Sequence, residues 1–158
     1  MKYEETNNTN SNFTNFIINI IKLIVYNVYM QNIMLNFEKY ASSVLRLGMG
    51  AIVLWFSIEQ FRNTGFWTAY VPDFATQITG LSATTLVYLN ATFELIFTLM
   101  LIIGWKVRLS ALLLSLHLIE IAISVGYSET AVRDFGLAIA LFVVFMNGSD
   151  IISFENKK

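Results

Sequence analysis

Two acids stand inside apolar runs of this chain. Glu94 interrupts residues 85–104 and Glu120 interrupts residues 109–125, and a basic turn, Trp105-Lys106-Val107-Arg108, joins the two runs. Each run is long enough to cross a bilayer core, for which about 17–25 residues suffice. A charged side chain near the bilayer centre costs roughly 2.5–3.5 kcal/mol on insertion scales. Chains bear that cost where such groups face one another inside a bundle. The placement of these acids therefore predicts helices packed with their polar positions turned inward.

Composition agrees. Hydrophobic residues make up 56% of the chain and charged residues 13%, against about 25% charged in a typical soluble domain. Mean hydropathy is +0.60. With 158 residues, the spans leave room for one membrane domain. A net charge of −1 and the lack of any Lys/Arg run argue against nucleic acid as a partner. The chain has no cysteine, which removes disulfides, thiolate-held iron–sulfur clusters and thiol catalysis.

Three segments are expected. Residues 1–36 form a polar, Asn-rich leader, disordered over 1–12, followed by an amphipathic stretch at 13–35. There Asn15, Asn19, Lys22 and Tyr26 recur at helical spacing, as in a helix lying at the interface. Glu4, Glu5 and the lack of a small-residue cleavage site argue against a secretory signal. Met30 and Met34 offer alternative starts. Residues 37–148 hold four spans, near 41–61, 85–104, 109–125 and 131–147. Arg46 snorkels at the start of the first. An aromatic loop with the sole proline, Pro72, follows that span, and residues 73–84 make a short surface helix. Residues 149–158 are a polar cytoplasmic tail. The fold class is thus all-α: a four-helix transmembrane bundle with an extra N-terminal amphipathic helix.

Lys39, Arg46, Lys106, Arg108, Lys157 and Lys158 fall on one side, Arg62 and Arg133 on the other. The positive-inside rule then makes this a multi-pass plasma-membrane protein with both termini cytoplasmic.

A helix rises about 1.5 Å per residue, so the depths of the polar groups are comparable. Glu59 lies near the outer end of the first span. Asn90 and Glu94 lie one turn apart in the outer half of the second. His117 sits near mid-membrane with Glu120 one turn further out, and Arg133-Asp134 open the fourth span. All of these groups lie from the midplane outward, which predicts an outward-opening polar pocket walled by Trp55, Phe56 and Trp67. Glu94, Glu120 and His117 are candidate proton carriers or ligand groups, and Arg133 is a partner for Glu94 or Glu120. The plainer alternatives are hydrogen bonds that only hold helices together, an Arg133 pair with Asp134 or Glu129, and an ordinary helix-end role for Glu59. A metal is not expected. Di-iron bundles need a Glu-x-x-His pair on each of two helices, and this chain has one histidine. No Walker loop, Rossmann fingerprint or nucleophile elbow occurs.

Several pieces together resemble the DoxX family. They are Leu45-Arg46-Leu47-Gly48, Trp55-Phe56-Ser57-Ile58-Glu59-Gln60-Phe61 and Phe93-Glu94-Leu95. Leu101-Ile102-Ile103-Gly104-Trp105-Lys106-Val107-Arg108 and Val132-Arg133-Asp134-Phe135-Gly136-Leu137 complete the set. The resemblance covers about residues 37–148 and implies four spans with a role in membrane redox metabolism. The chain is then a small quinone- or lipid-binding subunit, and any enzymatic role is at most that of a membrane subunit of a quinone-linked oxidoreductase. Quinone is the one candidate cofactor. Expected partners are the lipid bilayer, a redox partner subunit and a second copy in a homo-oligomer. On this reading Glu94, Glu120 and His117 bond a carbonyl or relay protons, and Arg133 holds an anionic group at the mouth. The alternative is a non-enzymatic transport, receptor or assembly protein whose buried polar groups only fix packing.

Overall fold

A computed structural model describes residues 2–157, with side chains at 17–35, 37 and 39–156. Among these residues there is no strand. The helices are α1 (Lys2–Arg62), α2 (Thr64–Trp67), α3 (Asp73–Thr79), α4 (Ala83–Ile103), α5 (Val107–Val125) and α6 (Glu129–Asn147). Short 3-10 turns occupy Thr68–Tyr70 and Phe154–Lys157. The leader expected to be disordered is helical from Lys2. Its side chains up to residue 16, Asn15 of the polar stripe included, lie outside the described residues.

Among the described residues, three helical stretches are long and apolar enough to cross a membrane: Ile17–Arg62, Ala83–Ile103 and Val107–Val125. The first has 46 residues, of which Tyr40–Arg62 belong to the second of the chain's two units. One crossing of the bilayer core needs about 20 residues. α6 is a further long helix, with Arg133 and Asp134 near its start.

The chain divides into two units, Met1–Lys39 and Tyr40–Lys158. In the first, the described side chains from Ile17 onward are nearly all exposed. In the second, the later part of α1 packs with α4, α5 and α6 around Met49, Val53, Leu101, Ala111, Leu114, Ala138, Leu141 and Val144. Small residues let these helices approach closely. A Cβ on Gly50 would sit 2.6 Å from Ile102. Buried serines stitch neighbours together: Ser57 donates to the Ala91 carbonyl at 2.9 Å and Ser115 to the Ala138 carbonyl at 2.8 Å.

Local sequence sets the helix ends. Ser82 and Ser128 accept from the Thr85 and Ala131 N–H groups and cap α4 and α6. α4 stops at Gly104, whose φ of 80° suits glycine and whose N–H bonds the Met100 and Leu101 carbonyls. Lys106 then takes the left-handed conformation, with φ 48°, to start α5.

At this end of the second unit the structure departs from the sequence reading. Arg46 does not snorkel; it is 1% exposed. Its guanidinium donates to Asp150 (2.8 and 3.3 Å) and to the Leu101 and Ile102 carbonyls (2.6 and 2.8 Å) at the end of α4. Asp150 Oδ1 also accepts from the N–H groups of Ile152 and Ser153 and from the Ser153 hydroxyl. Burial alone would raise the Asp150 carboxyl pKa. Hydrogen bonds from Arg46 and Ile152, with the Arg46 charge, outweigh it and hold the carboxyl below the usual carboxylate range. The polar tail is thus folded back: the Glu155 N–H donates to the Gly104 carbonyl at 3.2 Å.

Candidate functional site

At the opposite end of the second unit, five pieces of chain converge. Phe56 and Gln60, one turn apart, face inward from the end of α1. Asn90, Phe93 and Glu94 do so from the first half and middle of α4 and His117 from the second half of α5, with the largely exposed Glu120 one turn further on. Arg133 and Asp134 come from the start of α6, and Trp67, Tyr70 and Phe74 from the segment linking α1 to α4. All of them line one cavity of about 380 Å³, within the range of small-molecule sites, roughly 300–1,000 Å³. The Ser57–Ala91 bond fixes the register of α1 against α4 beside it. Spacings of three and four residues within each helix bring the polar groups onto one face.

Glu94 is buried, 3% exposed. Gln60 Nε2 donates to its Oε2 at 2.7 Å and Asn90 Nδ2 to its Oε1 at 3.1 Å, while Asn90 Nδ2 also donates to Gln60 Oε1 at 2.8 Å. Two helices thus share one closed carboxyl–amide–amide ring. His117 stands on the far side. Its Nε2 lies 3.7 Å from Glu94 Oε1 and its Nδ1 3.5 Å from Glu120 Oε2. Neither distance is a good hydrogen bond, and the buried Nε2 has no hydrogen-bond partner. The Phe93 ring flanks the imidazole, with centroids 4.6 Å apart. The Glu120 side chain is 71% exposed. Glu94, His117 and Glu120 therefore run as three titratable groups from the interior to the surface.

Arg133 pairs with neither Glu94 nor Glu120. Its Nε donates to Asp134 Oδ1 at 2.8 Å, and its guanidinium lies 4.5 Å from the Phe56 ring centroid, a cation–π contact. Phe56 meets Trp67 edge to face at 6.1 Å.

Of the residues singled out from the sequence, Glu94, His117, Glu120, Arg133, Asp134, Asn90, Phe56 and Trp67 line the cavity. Glu59 and Trp55 do not. Glu59 accepts from Asn63 at 2.8 and 3.1 Å at the end of α1. Trp55 is 60% exposed and touches the edge of Phe56. Gln60 was the residue missed. Its signal was the spacing of four from Phe56, which places the two on one face. Tyr70 and Phe74 lie on the linking segment, where no periodicity pointed inward. Among the described residues no group of three or more His, Cys, Asp and Glu side chains is arranged to hold a metal ion.

No curated protein and no solved structure matches the chain. The sequence model of the DoxX family matches residues 41–126, just over half of the 158 residues. The match takes in Phe56, Gln60, Asn90, Glu94, His117 and Glu120 and ends before Arg133 and Asp134.

Proposed function

The chain belongs to the DoxX family of membrane proteins, and on that premise we propose that it is a small subunit that binds a quinone or similar lipid in the cavity around Glu94. One observation carries this reading. A buried carboxyl, an imidazole flanked by Phe93 with an unpartnered nitrogen, and a set of aromatic walls meet at a cavity of ligand size. Buried polar atoms rarely go unpaired. A carbonyl or hydroxyl on a flat ring head supplies the partner that His117 Nε2 lacks, and Phe93, Phe56 and Trp67 offer faces and edges for the ring.

In this assignment α6 is the fourth span, the termini are cytoplasmic, and the cavity lies in the outer half of a plasma-membrane protein. With Arg46 buried and paired, Lys39, Lys106, Arg108, Lys157 and Lys158 still outnumber Arg62 and Arg133. A bound quinone supplies redox chemistry, two electrons with two protons. The residues do the rest. Gln60 and Asn90 orient the Glu94 carboxyl, His117 bonds the head, and Glu120 exchanges protons between His117 and solvent. A redox partner subunit delivers or removes electrons, since a cysteine-free chain with one histidine carries no centre of its own.

The test is what co-purifies from native membranes in mild detergent, read by mass and ultraviolet spectra. Stoichiometric quinone that falls in Glu94→Gln and His117→Leu supports the reading. Bulk phospholipid alone, unchanged in both variants, defeats it. A second reading has its own observation: the Glu94–Gln60–Asn90 ring joins α1 to α4, as a polar packing clamp in a non-enzymatic assembly or transport protein does. There, the same variants change thermal stability and nothing else.

A further inference from the structure

The charges that face the cavity are specific enough to say what kind of head it takes. Three carboxyl groups line it, Glu94, Glu120 and Asp134, with one guanidinium, Arg133, and one imidazole, His117. The guanidinium is charge-balanced by Asp134, to which its Nε donates at 2.8 Å, and its Cζ lies over the Phe56 ring, while the side chain is 41% exposed. The amide donors are engaged as well: Gln60 Nε2 and Asn90 Nδ2 both point at Glu94 oxygens. His117 lies between two carboxyl groups, 3.7 Å from Glu94 and 3.5 Å from Glu120. An entering anion would find the one guanidinium already balanced by Asp134 and would face Glu94 and Glu120, and like charges repel. Protonating Glu94 does not reverse this. Glu120 and Asp134 still balance Arg133 and even a charged His117.

Resting on the ligand-binding reading above, we infer that the cavity selects an amphiphile with an uncharged or positively charged head and rejects anionic heads such as carboxylates, phosphates and sulfur oxyanions. Arg133 is a structural cation that stacks on Phe56 and neutralises Asp134. It is not an anion hook at the mouth, as its position in the sequence suggested.

Three probes on one ring system test this: naphthol, naphthoate and naphthylmethylammonium, each by equilibrium dialysis against the full chain in neutral detergent near neutral pH. Site binding is the part removed by the cavity-filling variant Ser124→Trp, which corrects for partition into micelles. Naphthol and the ammonium are expected to bind at least about tenfold more tightly than naphthoate, as expected where like charges meet. Asp134→Asn, which releases Arg133, should restore naphthoate binding and leave naphthol within about twofold, since a neutral head gains little from a freed cation. Glu120→Gln, at an exposed position, should act in the same direction more weakly, so the inference does not hang on one variant that unfolds. Naphthoate binding as tightly as naphthol in the native chain overturns the charge rule and leaves the ligand site standing. No site binding by any probe overturns both.

Discussion

The second unit holds two buried polar clusters, and they are satisfied to different degrees. At one end Arg46 donates to Asp150 and to two carbonyls, and Asp150 Oδ1 accepts three further bonds. At the other, Glu94 is bonded by two amides, but His117 Nε2 has no partner and its neighbours stand at 3.5–3.7 Å beside a cavity. A saturated charge pair rigidifies the fold, whereas an incomplete network leaves donors and acceptors for something else. The difference separates architecture from function within one small chain. The Arg46–Asp150 clasp ties the first helix, the end of α4 and the tail together. The Glu94 cluster leaves one nitrogen and a space.

The comparison breaks most visibly if the clasp is dispensable. Arg46→Met leaves a buried aspartate unpaired and should cost about 3–5 kcal/mol, as breaking a buried pair from one side does. The measurement is thermal unfolding in detergent, and an unchanged midpoint would remove the clasp from the architecture. Adding Asp150→Leu to Arg46→Met should recover much of that loss, because the orphan charge goes with it.

A smaller effect is expected at the other cluster. Gln60→Leu removes a donor to buried Glu94 and should cost about 1–3 kcal/mol. Glu94→Gln keeps the shape and should cost less than that while abolishing co-purified ligand. Equal losses of stability from Glu94→Gln and Arg46→Met would erase the contrast between the two ends.

Acid offers a way to sharpen it. The folded Asp150 carboxyl titrates below its ordinary value of 3.8. Its contribution to stability is therefore complete above that value and falls away as pH drops through the lower folded one. The tail amides of Ile152 and Ser153 should keep their hydrogen-exchange protection from neutral pH down to about 4 and lose it only in stronger acid, since Asp150 must be protonated before Arg46 is released. Asp150→Asn should abolish that acid leg. The smallest effect is expected from Glu59→Gln. At a part-exposed helix end bonded only to Asn63, it should change stability by no more than about 0.5 kcal/mol and leave ligand binding alone.

Much of the frame was legible in the residues. The apolar runs mark where α4, α5 and α6 lie, because span length is a local property. Part of the cavity was legible as well, since helical spacing says which neighbours share a face; of the two acids inside apolar runs, Glu94 is buried and Glu120 is 71% exposed. Trp55 and Gln60 show the limit. Both lie on the same turns of α1, and periodicity alone did not say that Gln60 points at Glu94 while Trp55 points away.

The sequence by itself determined that this is a helical membrane protein of the DoxX kind, because hydropathy and helical geometry act over short spans. Only the tertiary structure decided which charges meet. Arg46 reaches Asp150 across 104 positions, and Arg133 turns to its neighbour Asp134 and the Phe56 ring instead of to Glu94. Pairings of that kind depend on how the helices rotate and how the tail folds back. Those are set by packing across the whole core, and no local pattern encodes them.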